Sequence, residues 1–206
     1  HNSFRFSIAW SRLIPNGDGI VNEKAVKYYN DLINKLLDNG IEPFVCLFHF
    51  DMPYELQKIG GWENRLVVEY YAKYAKTCFE LFGDRIKYWT TFNEPIVVVE
   101  GQYLYKFHYP CLVDGKKAVQ VMFNINLASA KAIEAYRKGG YNKDGGKIGI
   151  VLNLTPSYPR SESKKDLAAA KFADDFFNNS FLDPAIKGEF PKGLVSTLEK
   201  DNVLWN

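Results

Sequence analysis

Asn93 and Glu94 stand side by side in the run Trp89-Thr90-Thr91-Phe92-Asn93-Glu94-Pro95, an amide and a carboxylic acid at the end of an apolar, β-prone stretch. A carboxyl group so placed suits proton transfer, because it can protonate a departing oxygen and later activate water. Pro95 lacks a backbone donor and restricts the residue before it, so the run predicts a strand that closes with an extended Glu94 at its C-terminal lip. In an α/β barrel that lip is where chemistry is done. Strict alternation sends neighbouring strand residues to opposite faces, so Asn93 and Glu94 can line one cleft only where the strand twists or bulges.

Other residues could serve the same cleft. His49, in Phe48-His49-Phe50-Asp51-Met52-Pro53, ends an earlier strand-like run and could exchange hydrogen bonds with a hydroxyl, or be a structural histidine held between phenylalanines. Asp51 before Met52-Pro53 reads as a turn-former. Arg5 shares a strand face with Ser7 and Ala9, and if that face looks inward its charge demands a carboxylate, which nothing in the chain obviously supplies. Aromatic residues crowd the same ends: Phe48, Phe50, Tyr54 and Trp62 after one strand, and Tyr103, Tyr105, Phe107, His108 and Tyr109 after the next. Sugars stack on such faces, although the rings could equally pack the loops down. Cys46, within an apolar strand, is most simply a small core residue.

The elements that must position these residues alternate. Strands are predicted near Phe4 to Ala9, Glu42 to Phe50, Ile86 to Asn93 and Lys147 to Asn153. Helices are predicted from the cap residue Asn22 to Asp38, from Arg65 to Phe82, from Lys116 to Lys138 and from about Lys165 to Phe181, the first three stopped by Asn39-Gly40, Gly83-Asp84 and Gly139-Gly140. Four β-α units in a row imply parallel strands with right-handed crossovers. A doubly wound sheet would announce a glycine-rich nucleotide turn, and no Gly-x-Gly-x-x-Gly is present, so a barrel is preferred and no cofactor is expected. Four units make about half of an eight-stranded (β/α)8 barrel, so residues 1–206 read as one incomplete catalytic domain.

Composition narrows the function classes. The chain has 206 residues, 47% hydrophobic and 24% charged, with a net charge of +2 interleaved along it, which suits a globular domain and gives nucleic-acid or lipid-surface binding little support. The three cysteines, Cys46, Cys78 and Cys111, lie far apart with no Cys-x-x-Cys pair, which fits a reducing, cytoplasmic compartment. No apolar run approaches the roughly 20 residues of a membrane span. A metal-dependent hydrolase needs ligands clustered at strand ends, and only His49 is so placed; His1 and His108 form no obvious set with it.

Three ordered motifs now carry a family resemblance. Phe4-Arg5-Phe6-Ser7-Ile8-Ala9-Trp10-Ser11-Arg12, His49-Phe50-Asp51-Met52-Pro53 and Thr91-Phe92-Asn93-Glu94-Pro95 resemble glycoside hydrolase family 1, the retaining β-glycosidases. The likeness continues through Gly60-Gly61-Trp62, Gly149 to Asn153 and Asp183 to Pro191. It implies a (β/α)8 barrel with these strands as its second to fifth. Glu94 would then be the acid/base, Asn93 a contact to the sugar 2-hydroxyl, His49 a glycone ligand and Arg5 the partner of a nucleophilic carboxylate. Phe50, where the family commonly has Trp, together with Glu100 to Tyr105, is similar to bacterial 6-phospho-β-glucosidases, which implies a phospho-β-glucoside as substrate. Unphosphorylated β-glucosidase or β-galactosidase activity is the near alternative, and a sugar-binding remnant without chemistry the distant one. The family's Thr-Glu-Asn-Gly strand, which carries the nucleophile, does not occur in the chain. Residues 1–206 are therefore expected to be an internal portion of the enzyme, inactive alone.

Overall fold

The structure is a computed structural model that describes residues 1–17 and 19–206. Four strands, β1 (Ser3–Ser7), β2 (Glu42–Cys46), β3 (Tyr88–Asn93) and β4 (Lys147–Val151), form one parallel sheet in the order β1-β2-β3-β4. Each strand pairs with the next in sequence. A doubly wound sheet would reverse its order partway, whereas an unbroken order is how barrels are wound.

The long helices stand where periodicity and capping place them. Asn22 caps α2 (Glu23–Asp38) by accepting from the Lys24 amide, and Asn64 caps α4 (Arg65–Phe82) by accepting from the Leu66 amide. The helix α6 spans Gly115–Lys138. The predicted last helix becomes three consecutive pieces, α7 (Lys164–Asp174), a π-helical turn (Asp175–Asn179) and α8 (Ser180–Lys187). Four short helices escaped the sequence reading: α1 (Trp10–Leu13), α3 (Tyr54–Lys58), α5 (Pro95–Tyr103) and α9 (Lys192–Lys200). The strands are also shorter than predicted. Their tails stay bonded without regular pairing, since the Ile8 amide donates to Cys46 and the Leu47 amide to Thr90.

The described residues fall into two compact units. The first comprises His1–Asn93 and Leu127–Val151 and contains the whole sheet. Behind the strand ends lies an aromatic core: Trp10 stacks on Tyr74 at 5.1 Å, Tyr71 on Phe92 at 4.7 Å, and Trp62 meets Phe48 edge-on at 5.4 Å. The buried hydroxyls of α4 find partners on the strands, as buried tyrosines must. Tyr74 lies 2.8 Å from the carbonyl oxygens of Ile8 and Leu47, and Tyr71 donates to the carbonyl of Thr91. One helix thus anchors three successive strand ends.

The second unit comprises Glu94–Asn126 and Leu152–Asn206. Phe123, Phe190 and Trp205 stack together, with Trp205 5.0 Å from Phe123 and 4.5 Å from Phe190. The side chain of Asn178, on the π-helical turn, mimics a strand partner: it accepts from the Thr155 amide at 2.9 Å and donates to the Thr155 carbonyl at 2.8 Å. The loop after α5 folds back through bonds from His108 to Gly101, Leu112 to Gln102 and Asp114 to Tyr103.

Candidate active site

On the first unit, side chains from three strands meet. Alternation puts Arg5 and Ser7 on one face of β1. From there the Arg5 guanidinium donates to Asn93 Oδ1 at 2.8 Å, although the two residues are 88 positions apart. Asn93 Nδ2 lies 3.1 Å from His49 Nε2, and His49 Nδ1 lies 3.5 Å from Ser7 Oγ. Asn93 is only 3% exposed, while Arg5 and His49 are open to solvent. The predicted residues Arg5, His49 and Asn93 are therefore one hydrogen-bonded cluster, with Ser7 added. Among the described residues Arg5 is exposed, and an amide oxygen takes one of its hydrogens.

Local backbone geometry brings Asn93 to this position. Thr90 pairs with Gly149 and Asn93 with Val151, three steps on β3 against two on β4, so β3 carries one extra residue. A bulge is one of the two irregularities, twist or bulge, that alternation makes a condition for Asn93 and Glu94 to line one cleft. Thr91 fixes it from behind, its hydroxyl 2.8 Å from Ser129 Oγ on α6 and 3.2 Å from the Gly149 carbonyl.

Asp51 holds the loop that presents His49. Its Oδ1 accepts from the His49 amide at 3.2 Å. Burial pushes the Asp51 pKa above its ordinary value, against the opposing pull of the backbone amides of His49, Trp10 and Asp51 itself. Phe50 adopts a positive φ of 65° and sets its ring edge-on to the His49 imidazole at 4.9 Å. Asp51 is a turn-former, as its place before Met52-Pro53 suggests.

Glu94 opens the second unit as the cap residue of α5 and is half-buried. Its backbone is not extended, contrary to the expectation from Pro95: φ is 46° and ψ is 61°, the left-handed region. Proline disfavours the right-handed α conformation in the preceding residue, and a left-handed residue avoids that region while turning the chain sharply. Pro95 then begins a helix instead of a loop, where its missing N–H costs nothing, and the Glu94 carbonyl accepts from the Val97 amide at 2.9 Å.

The aromatic residues divide. Phe48, Trp62 and Tyr103 are at most 1% exposed and belong to the packed interior, so they offer no stacking face. Tyr54, Tyr105, Phe107 and Tyr109 are exposed. Sequence reasoning missed Tyr71 and Tyr74, which support the strand ends from behind. Their signal was present in the buried stripe of α4, because a tyrosine on such a stripe needs a polar partner. Among the described residues, no group of three or more His, Cys, Asp or Glu side chains is placed to hold a metal ion, and no helix is long and apolar enough to cross a membrane.

The family model for glycosyl hydrolase family 1 matches residues 1–205. The chain belongs to that family. Among its family 1 relatives, it is 63% identical over 204 residues to the 6-phospho-beta-glucosidase GmuD of Bacillus subtilis, covering 99% of this chain and 43% of that protein. It is 45% identical over 201 residues to a 6-phospho-beta-galactosidase of Clostridium acetobutylicum, covering 97% of this chain and 42% of that one. A solved family 1 β-glucosidase from Thermotoga maritima superposes with a TM-score of 0.91 at 39% identity, over 100% of this chain and 46% of its own. The chain thus spans less than half the length of these family 1 proteins. Its parallel sheet and helices form part of the family's (β/α)8 barrel, as the order of the elements led one to expect.

Proposed function

We propose that the whole protein is a retaining β-glycosidase acting on 6-phospho-β-glucosides, and that residues 1–206 form part of its catalytic domain. The observation that carries this reading is the 63% identity to a 6-phospho-beta-glucosidase over nearly the whole chain. In this reading Glu94 protonates the departing glycosidic oxygen while a second carboxylate attacks the anomeric carbon. Water then hydrolyses the glycosyl-enzyme with Glu94 acting as base. Asn93 contacts the sugar 2-hydroxyl, His49 holds the glycone, and Arg5 pairs with the nucleophilic carboxylate. The cluster of Arg5, Asn93 and His49 supports these roles, since it gathers donors and acceptors suited to hydroxyl groups at the strand ends. Phosphorylated sugars made during uptake fit a cytoplasmic enzyme.

A retaining mechanism needs its two carboxylates about 5 to 5.5 Å apart. The Thr-Glu-Asn-Gly strand that bears the second is absent from residues 1–206, so this portion alone is expected to be inactive. The test is turnover of an aryl β-glucoside by the whole protein, with and without a 6-phosphate. Strong preference for the phosphorylated compound is the expected result. Equal or better turnover of the plain glucoside overturns the phospho reading in favour of an ordinary β-glucosidase. The 45% identity to a 6-phospho-beta-galactosidase adds an aryl β-galactoside 6-phosphate as a third arm.

A further inference from the structure

We infer that Arg5 is a positioning residue that fixes the proton of the His49 ring on Nδ1, by dictating which way round the Asn93 amide lies. The argument needs only donor and acceptor capacities. A guanidinium group donates and cannot accept, so the atom of Asn93 that lies 2.8 Å from Arg5 must be the amide oxygen. The opposite orientation would set an N–H₂ group against an N–H group. With the oxygen committed, the Asn93 N–H₂ faces His49 Nε2 at 3.1 Å, and it too can only donate. His49 Nε2 must therefore accept through its lone pair and carry no hydrogen. The ring proton is left on Nδ1, whose neighbour at 3.5 Å is the Ser7 hydroxyl, a group able to accept it.

A single direction of donation thus runs from Arg5 through Asn93 and His49 to Ser7. It starts from the one member of the chain that cannot reverse. Its consequence for the sugar rests on the proposed glycosidase reading: with one Nδ2 hydrogen on His49, the other is the donor that Asn93 presents, and a hydroxyl engaged by it must accept. Arg5 would then act on substrate through Asn93, in addition to any direct contact it makes.

The test is the ¹⁵N spectrum of the whole protein labelled in histidine, with the His49 signals assigned by their loss in H49Q. Long-range ¹H–¹⁵N correlations distinguish the tautomers. The expected pattern for His49 is a protonated, pyrrole-like Nδ1 and an unprotonated, pyridine-like Nε2; an Nε2–H pattern or a mixture overturns the inference. Asn93→Asp replaces the donor facing His49 by an oxygen, and its expected effect is a proton on Nε2; an unchanged pattern overturns the proposed control by Asn93. Arg5→Met frees the amide to rotate and is expected to yield mixed tautomers, while Arg5→Lys keeps a donor and restores the single pattern. If Arg5→Met retains the pure Nδ1–H form, Arg5 has no such role. If it does not fold, Arg5→Gln, whose amide can offer Asn93 a donor or an acceptor, takes its place with the same expected mixture, and a pure Nδ1–H form in that variant overturns the role of Arg5. The spectrum requires no substrate, so a failure of the glycosidase reading would appear separately, in turnover.

Discussion

Tyr74 on α4 reaches the carbonyl oxygens of Ile8 and Leu47 through one hydroxyl, 2.8 Å from each, at the ends of two neighbouring strands. Both residues are fully buried, and the same helix reaches Thr91 through Tyr71. The strand ends near Arg5, His49 and Asn93 are therefore held by the hydroxyls of two buried tyrosines on one helix.

Removing that support should be felt in stability and in geometry alike. Tyr74→Phe removes the single hydroxyl hydrogen that two buried carbonyl groups share, a loss of about 1–3 kcal/mol, measured as a lower urea midpoint at unchanged slope. A change below about 0.5 kcal/mol would mean that neither carbonyl depends on this hydroxyl.

Glu94→Gln in the whole protein separates the acid role from a merely structural one. Loss of general acid catalysis typically costs 10²–10⁴-fold, and it should fall on substrates with poor leaving groups. Activated aryl glycosides need little protonation for the first step and should lose far less of their kcat/KM. An equal loss on both classes would remove Glu94 from the acid role.

Asp51 gives a pH dependence with a definite sign. Its carboxyl is raised from an ordinary value of 3.8 by burial, so the folded chain binds the proton more tightly than the unfolded one. This contribution to stability is therefore greatest at low pH and is lost as pH rises from about 3.8 through the raised folded value. Asp51→Asn removes the charge that burial disfavours while leaving an oxygen for the His49 amide. Denaturant titrations across that window should show a shallower decline for the variant. Glu100, raised by burial as well, supplies a remainder of the same sign. Parallel curves for the two proteins would discount Asp51 as the source.

How legible the molecule was depended on whether the signal was local. Asn22 could be read as a cap because a cap is decided within four residues of sequence, while Asn64, which carries the same local signal, was passed over. A twist or bulge in β3 was a condition set by two polar neighbours that alternation would separate, but the bulge's anchor at Ser129 lies 38 positions from Thr91 and left no trace in the pattern. Arg5 was placed on one face with Ser7, but its amide partner was not foreseen. Asn93 lies 88 residues away, and a contact at that separation is not visible in a strand of five residues. Trp62 was one of the loop aromatics left open between stacking a sugar and packing the loop down. Gly60 and Gly61, with φ of 108° and 53°, turn the chain so that the Trp62 ring packs against Trp10, Tyr71 and Phe92. Pro95 misled for a related reason: the rule for residues before proline excludes one region more firmly than it selects another.

The left-handed backbone of Glu94 sets fold against side chain at a single position. Residues with a Cβ resist that conformation by roughly 1–2 kcal/mol, and glycine does not. A chain shaped only for ease of folding would carry glycine there. Retaining a glutamate, with φ of 46°, makes this junction a place where the most comfortable substitution for the polypeptide is also the one that erases its carboxyl group.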